Sequence, residues 1–375
     1  MAFLDGLRGV AAAMVVLFHF FLSYADLENP TLRWIWSGPF GFLTEGEAAV
    51  FLFFVLSGIA LPWGEFRGRT PLFGTTGSLV AWWVARIVRI YLPYVVAMAL
   101  LGWVRVSFQG APETQPPRTG WFNYHSALAV DPDNVLHDLN LFVEYPRLLG
   151  QGWSLTEELR FAFLLPLLMA LARRSSTAVL MSVLCAVACG ALSRYVLFFT
   201  VGILIAKHWE FISGRLGRLP RWVSPLLLLG ALALLSCRRW LHAYLRETFN
   251  ALGTVVSPDY AVVLGAALLL VLPLAAPGYR WFLECRLVKG LGRISFSLFL
   301  VHLIVLLEFS PGVVSRLNGL GMTDPVSTTL TGAGCVLALS CLAATVFYRG
   351  VEAPCTALSR WVLSRGSRIR WELDR

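Results

Sequence analysis

The sequence predicts an all-α, polytopic membrane protein of about ten transmembrane helices, with both termini in the cytoplasm. Hydrophobic residues make up 57% of the 375 residues and charged residues only 14%, and the mean hydropathy is +0.68. A soluble globular protein contains roughly 25% charged residues, and a disordered chain is poor in hydrophobic residues. Neither class fits this composition, so a membrane protein remains.

Apolar segments recur along the whole chain, and a spanning helix needs about 20 such residues. The predicted spans are residues 8–25, 46–63, 88–105, 153–171, 177–192, 195–208, 222–237, 259–276, 291–308 and 330–348. With the N-terminus inside, their alternation places most of the 31 basic residues on the cytoplasmic side, as the positive-inside rule requires. We expect the chain to lie in the bilayer of a bacterial-type inner or plasma membrane.

The net charge of +9 is therefore interpreted as a topology signal, and no nucleic-acid partner is expected. One loop is an exception to the rule, because Arg238, Arg239 and Arg246 fall on the outer side. None of the seven cysteines forms a C-x-x-C pair with metal-ligand spacing, so no metal is expected.

Two segments outside the spans are distinctive. Residues 106–152 form the longest loop, and they are either a functional loop or an ordered external cap. Residues 349–375 form a basic tail that contains Arg360 and Arg365, and we expect it to lie on the anionic inner leaflet. Residues 1–348 then constitute the membrane domain.

The first span contains two ionisable residues, Arg8 and His19. Eleven residues bring a helix within about 20° of three full turns, so both side chains point to one face, about 16 Å apart along the axis. Arg8 would lie at the cytoplasmic boundary and His19 near the bilayer centre. This geometry suits a ligand with an anionic head and a buried reactive end, such as an acyl-coenzyme A thioester. A neutral histidine is a general base or a nucleophile. Alternatively, His19 is a core histidine held by a hydrogen bond to a neighbouring helix, and Arg8 is an anchor that sets the topology.

The fourth span begins with Trp153 and Ser154, followed by Glu157 and Glu158. Ser154 and Glu157 have the spacing of a capping box, which is a structural interpretation. Glu158 lies beside apolar residues, where a carboxylate is costly and marks a functional candidate. It is predicted either to orient His19 or to contact an acceptor hydroxyl.

Three further places in the spans contain candidate residues. Arg86 and Arg89 share one helix face and are predicted either to bind phosphate groups with Arg8 or to anchor lipid headgroups. Ser57 and Gly58 allow close helix approach, which is chiefly a packing signal. His302, in the ninth span, is a weaker catalytic candidate, and a structural hydrogen bond is the preferred interpretation.

Together these segments resemble the acyltransferase 3 family of integral membrane acyltransferases. The matching elements are Leu4–Gly9 with His19, Gly46–Gly58, Arg86 with Arg89 and Pro93, Trp153–Leu155 with Glu158 and Phe161, Ile294–Leu298 with His302, and Glu352–Pro354. The order and position of several motifs are more specific than any one of them.

The resemblance implies transfer of an acyl group, usually acetyl, from coenzyme A to a hydroxyl. It implies a carbohydrate acceptor, such as a cell-surface polysaccharide or glycolipid, or alternatively a glycosylated natural product of the macrolide type. His19 and Glu158 are the implied catalytic residues, and Arg8, with Arg86 and Arg89, the coenzyme A contacts. Trp153, Ser154 and Ser57 are assigned to substrate binding. A proton-coupled transporter that uses His19 and Glu158 as a relay is the alternative from another class.

Overall fold

The computed structural model describes residues 2–38, 41–68, 76–107, 119–140, 146–220, 222–239 and 258–373. These ranges contain helices and no strand, which confirms the all-α class. The helices are α1 (Ala2–Tyr24), α2 (Pro30–Ser37), α3 (Gly46–Ala60), α4 (Trp63–Phe66), α5 (Thr76–Ser107), α6 (Gly120–Ala127), α7 (Pro132–Leu139), α8 (Gly152–Arg174), α9 (Ser176–Ala188), α10 (Tyr195–Lys207), α11 (Trp209–Leu216), α12 (Val223–Leu235), α13 (Asp259–Val271), α14 (Pro277–Glu284), α15 (Arg286–Arg293), α16 (Ser295–Gly319), α17 (Pro325–Phe347) and α18 (Ala353–Leu373).

A helix occupies each of the ten predicted spans. By length and composition, four stretches of the described chain are able to cross a membrane: α1, α5 from Gly77, α16, and the continuous stretch Pro325–Arg365. Two bent pairs qualify when each is counted as one span, namely α10 with α11 at 74° and Asp259–Leu274 with α14 at 95°. The structure thus supports four to six spans, and the number ten stays a prediction.

The chain divides into two compact units. The first contains Met1–Ala11, Glu47–Gly74 and Arg160–Arg293, and the second contains Ala12–Gly46, Thr75–Leu159 and Ile294–Arg375. Helices α1 and α8 contribute residues to both units.

Close helix contact in the first unit depends on glycine. A Cβ atom at Gly58 of α3 would overlap the carbonyl oxygen of Phe199 in α10, and a Cβ atom at Gly202 would overlap that of Val55. Only residues without a side chain allow two backbones to approach this closely. The packing interpretation of Gly58 is therefore confirmed.

A buried carboxylate in the same unit contacts one arginine of the loop that departs from the positive-inside rule. Asp259 accepts ion-pair contacts from the Nε atoms of Arg194 at 3.1 Å and Arg238 at 3.2 Å. Arg238 also pairs with Glu47. The charge of Arg238 is thus compensated within the protein, whereas Arg246 lies outside the described residues.

The second unit is built on two helix pairs, α16 with α17 and α5 with α18. A π-helical turn, Tyr348–Glu352, joins α17 to α18. Its buried Glu352 accepts hydrogen bonds from the backbone nitrogen of Ser297 at 3.0 Å and from the Ser297 hydroxyl at 2.6 Å. A carboxylate in this position satisfies the free N–H groups at the start of α16.

The predicted basic tail is mostly helical. The Ser359 hydroxyl of α18 donates to the carbonyl of Ala85 in α5 at 2.9 Å, so this part of the tail packs against the second unit. The side chains of residues 366–375 lie outside the described part of the chain. Contact of the tail with the inner leaflet stays a prediction.

The long loop after α5 is partly described, since residues 108–118 and 141–145 fall outside the described ranges. The rest contains α6 and α7. The buried carboxylate of Asp138 accepts from the backbone nitrogens of Arg147 at 2.7 Å, Leu148 at 2.8 Å and Leu149 at 3.2 Å. The described part of this loop is therefore an ordered element of the second unit.

Helices α1, α5 and α16 end on the same side of the second unit. The Tyr24 hydroxyl, at the end of α1, lies 2.7 Å from the Ser310 hydroxyl of α16. Arg105, near the end of α5, lies 2.7 Å from Glu308 of α16. The positions of these three helix ends agree with the predicted alternation, in which the three spans run in the same direction.

Candidate functional site

Two histidines meet in the second unit. His302 Nε2 of α16 lies 3.3 Å from His19 Nδ1 of α1, and their ring centroids are 5.0 Å apart. His302 is fully buried and His19 is half-buried. The sequence identified both residues, but it did not predict that they form a pair.

The hydrogen bonds assign the tautomer of each ring. His302 Nδ1 lies 2.7 Å from the carbonyl of Phe299, so this nitrogen carries the hydrogen and Nε2 is an acceptor. His19 Nδ1 faces two acceptors, His302 Nε2 and the carbonyl of Val15 at 2.9 Å. A nitrogen between two acceptors must be the donor. In neutral His19 the lone pair is therefore on Nε2.

Aromatic rings complete the surroundings of His19. Phe18 meets it edge-on with centroids 4.9 Å apart, and Trp121 of α6 lies at 5.4 Å. Trp121 in turn lies 4.4 Å from the ring of His125. The long loop therefore contributes Trp121 to the site, which the sequence analysis missed because a tryptophan in a loop of uncertain role carries no distinguishing pattern.

A partly buried ion pair of the second unit joins α5 to α16. The side chains of Arg105 and Glu308 are 12% and 18% exposed and form an ion pair at 2.7 Å. Neither residue was among the candidates predicted from the sequence. One sequence feature could have indicated this pair. The predicted spans 88–105 and 291–308 run in the same direction and end in residues of opposite charge.

Arg86 and Arg89 lie on the N-terminal half of α5, in the same unit as His19. The Arg86 guanidinium stacks over the ring of Trp82 at 4.4 Å. At 1.5 Å per residue, Arg86 and Arg105 are about 28 Å apart along α5. Arg86 thus lies at the end of the second unit opposite to the histidine pair.

Arg8 belongs to the first unit and is half-buried. The same turn of α1 packs tightly: a Cβ atom at Gly6 would overlap the carbonyl of Leu283 in α14, and one at Gly9 would approach the backbone nitrogen of Gly292 in α15 at 2.5 Å. These contacts fix the N-terminal turn of α1 within its unit. Ser57, also in the first unit, is half-buried on α3.

Helix α8 begins earlier than the capping-box interpretation requires. Its first residue is Gly152, and the buried Ser154 hydroxyl donates to the carbonyl of Gln151 at 3.0 Å. Ser154 is thus inside the first turn and is not the N-cap residue. Gln151 Nε2 donates to the carbonyl of Leu300 at 2.9 Å, which ties the start of α8 to α16.

Trp153 and Glu158 follow on the same helix and are both half-buried. Among the contacts of the described residues, His302 is the ionisable side chain that meets His19, and Glu158 is not one of its partners. A role of Glu158 toward the acceptor hydroxyl stays a prediction. In the described part of the chain, no group of three or more His, Cys, Asp or Glu residues is arranged to hold a metal ion.

A family model described as an acyltransferase domain matches residues 1–349. No curated protein and no solved structure matches the chain. The matched region contains His19 and His302, Arg105 and Glu308, and α6.

Proposed function

Since the chain belongs to the acyltransferase 3 family, we propose that this membrane acyltransferase moves an acetyl group from acetyl-coenzyme A to a hydroxyl of a carbohydrate. A cell-surface polysaccharide or a glycolipid is the proposed acceptor. The observation that supports this proposal most strongly is the free Nε2 lone pair of His19, defined by its contacts with His302 and Val15. Membership of an acyltransferase family does not support the transporter alternative.

His19 is the proposed catalytic residue. Its Nε2 accepts the proton of the acceptor hydroxyl while the hydroxyl oxygen attacks the thioester carbonyl. The carbon–sulfur bond then breaks, and the coenzyme A thiolate takes the proton back from the imidazolium. The ester and free coenzyme A are the products, so His19 ends in its starting state.

His302 is a positioning residue in this scheme. Its Nε2 and the carbonyl of Val15 hold the Nδ1 hydrogen of His19, which keeps the correct tautomer at Nε2. The same acceptors stabilise the imidazolium that forms during proton transfer, as an orienting group does in a catalytic triad.

A second route uses the same lone pair as a nucleophile. Nε2 of His19 then attacks the thioester and forms an acyl-imidazole, which the acceptor hydroxyl subsequently attacks. Rapid quenching followed by peptide mass analysis distinguishes the routes. An acetylated His19 peptide supports the nucleophile, and its absence during turnover supports the general base.

The residues predicted from the sequence to contact the donor and the acceptor are kept in this proposal. Arg8, Arg86 and Arg89 are proposed to bind the coenzyme A phosphates, because guanidinium groups bind phosphate in bidentate fashion. Glu158 is proposed as the second catalytic residue, acting on the acceptor hydroxyl. Trp153, Ser154 and Ser57 are proposed to bind the acceptor. The proposed catalytic domain is residues 1–348, as predicted, and the family match covers residues 1–349. Its ten spans, the cytoplasmic termini and the bacterial-type inner or plasma membrane are part of the same proposal.

The test is hydrolysis of acetyl-coenzyme A by purified protein in detergent. Wild type is compared with His19→Ala and Arg8→Ala, and His208→Ala serves as a control because His208 is an exposed histidine of the first unit. We expect His19→Ala to abolish thioester loss and Arg8→Ala to raise the KM. His208→Ala should match wild type.

Wild-type activity in His19→Ala would contradict the proposed catalytic residue. If wild type requires an acceptor and shows no hydrolysis, thermal unfolding with coenzyme A tests the donor directly. Stabilisation supports the proposal, and none at millimolar coenzyme A contradicts it.

A further inference from the structure

Helix α6 is fixed to α1 at its N-terminal end. The Thr119 hydroxyl donates to the carbonyl of Leu22 at 2.8 Å, and the Thr119 backbone nitrogen donates to the carbonyl of Ser23 at 3.1 Å. These carbonyls belong to the last turn of α1, where a helix leaves its carbonyls without partners. The start of α6 is therefore held within one turn of His19.

The C-terminal end of α6 is fixed by Arg105 of α5. Its Nη2 donates to the carbonyl of His125 at 3.1 Å, and its Nη1 donates to the carbonyl of Leu128. Its Nε donates to Glu308 Oε1 at 2.7 Å. A guanidinium group presents its donors in one rigid plane, so Arg105 binds two carbonyls of the loop and one carboxylate of α16 at once.

Glu308 and Arg105 lie in two helices that are apolar enough to span a membrane. Charges there are costly and usually functional, and an apolar pair of similar volume would pack at a lower cost. The charged pair therefore serves to position α6, because it fixes the C-terminal end of that helix in one place.

Trp121 lies in α6, between these two attachment points. Its ring is half-buried and contacts the rings of His19 and His125. The attachments thus determine where Trp121 lies relative to the imidazole of His19.

We propose that Arg105 and Glu308 are positioning residues that hold α6 over His19. Trp121 then excludes water from the acyl group until the acceptor hydroxyl binds. The water-excluding role of Trp121 rests on the acyl transfer proposed above. In the competing reaction, a water oxygen attacks the thioester carbonyl, the carbon–sulfur bond breaks, and acetate and coenzyme A are released. A closed site suppresses this loss.

The first test does not require enzymatic activity. Diethyl pyrocarbonate carbethoxylates an unprotonated imidazole nitrogen, and peptide mass analysis of the full-length protein in detergent gives the modification rate of His19. We expect the rate to rise about tenfold in Arg105→Lys, in Glu308→Gln and in Trp121→Ala, because each loosens or removes the cover. Lysine keeps the charge of Arg105 but loses the planar set of donors.

Two variants serve as controls. Trp121→Phe should remain close to wild type because it retains an aromatic ring. Arg316→Lys, at an exposed arginine of α16, should leave the rate unchanged. Since Trp121 is half-buried in a surface helix, Trp121→Ala is expected to fold even if a charge variant does not.

The second test is hydrolysis of acetyl-coenzyme A without an acceptor. We expect Trp121→Ala and Arg105→Lys to hydrolyse it faster than wild type, and addition of His19→Ala to abolish the increase. A general loss of structure would lower the rate instead. Faster carbethoxylation with no hydrolysis in any variant would support the positioning pair, and thermal unfolding with coenzyme A would then decide the proposed function separately. An unchanged carbethoxylation rate in folded Trp121→Ala would overturn the inference.

Discussion

His302 Nε2 accepts from His19 Nδ1 across 3.3 Å, although the two residues are 283 positions apart in the sequence. Each ring anchors its Nδ1 on a backbone carbonyl of its own helix. In the described part of the chain, the imidazole of His19 is thus oriented by a second histidine and a backbone carbonyl, whereas a carboxylate commonly performs this role in a catalytic triad.

Replacement of His302 should lower the rate and leave donor binding intact. In His302→Gln we expect kcat to fall about 100-fold, at the lower end of what general acid–base catalysis contributes, because the tautomer of His19 is no longer fixed. The KM for acetyl-coenzyme A should change little. Steady-state kinetics beside His208→Gln measures both quantities, and an unchanged kcat in His302→Gln would exclude a positioning role.

Glu352 should matter for stability more than its place in a turn suggests. In Glu352→Ala the Ser297 N–H and hydroxyl lose a charged acceptor at the start of α16, which costs about 2 kcal/mol. Thermal unfolding in detergent measures the loss. Glu284→Ala is the matched control, because its ion pair with Arg280 is exposed and contributes less than about 0.5 kcal/mol. Equal effects of the two variants would contradict the capping role.

Gly58 should tolerate no side chain. Gly58→Ala forces its methyl group against the Phe199 carbonyl and is expected to cost about 1–3 kcal/mol, as overpacking does. Gly230→Ala introduces the same methyl group where nothing lies within 4 Å, so it should be neutral or slightly stabilising. Comparison of the two unfolding midpoints checks the prediction, and equal midpoints would contradict it.

Asp259 should be required for the stability of the first unit. Asp259→Asn leaves Arg194 and Arg238 without their buried carboxylate. Because the Arg194 side chain is 44% exposed and Arg238 also pairs with Glu47, we expect a loss of about 1–3 kcal/mol, which is less than for a fully buried pair. Asp133→Asn, at an exposed aspartate, should stay within about 0.5 kcal/mol of wild type. A double variant, Asp259→Asn with Arg238→Gln, should regain part of the loss, and a further loss would argue against the ion pair.

Much of the fold could be predicted because the hydropathy of a segment reflects the environment of that segment alone. The ten predicted spans each contain a helix, since an apolar run reports the environment of its own residues. The ends were less accurate: α5 begins at Thr76 although the span was predicted from residue 88, and α16 continues to Gly319. Arg86 and Arg89 near the predicted start of the third span, and Glu308 and Arg316 in α16, lower the average hydropathy, although each helix continues through them.

The site was predictable residue by residue but not as an assembly. His19 is an isolated ionisable residue in an apolar run, which is a local signal. Its pairing with His302 depends on the packing of α1 against α16, and no local pattern contains that information. Arg105 and Glu308 were overlooked for the same reason, because each looked like the boundary of a span until the structure placed them together.

The π-helical turn Tyr348–Glu352 also has a consequence for protein engineering. Its i→i+5 hydrogen bonding accommodates one residue more than a regular α-helical turn. Deletion of one residue there would regularise the helix and rotate every later side chain by about 100°. Ser359 would then turn away from the Ala85 carbonyl that it binds, so this one turn sets the phase of the whole C-terminal helix.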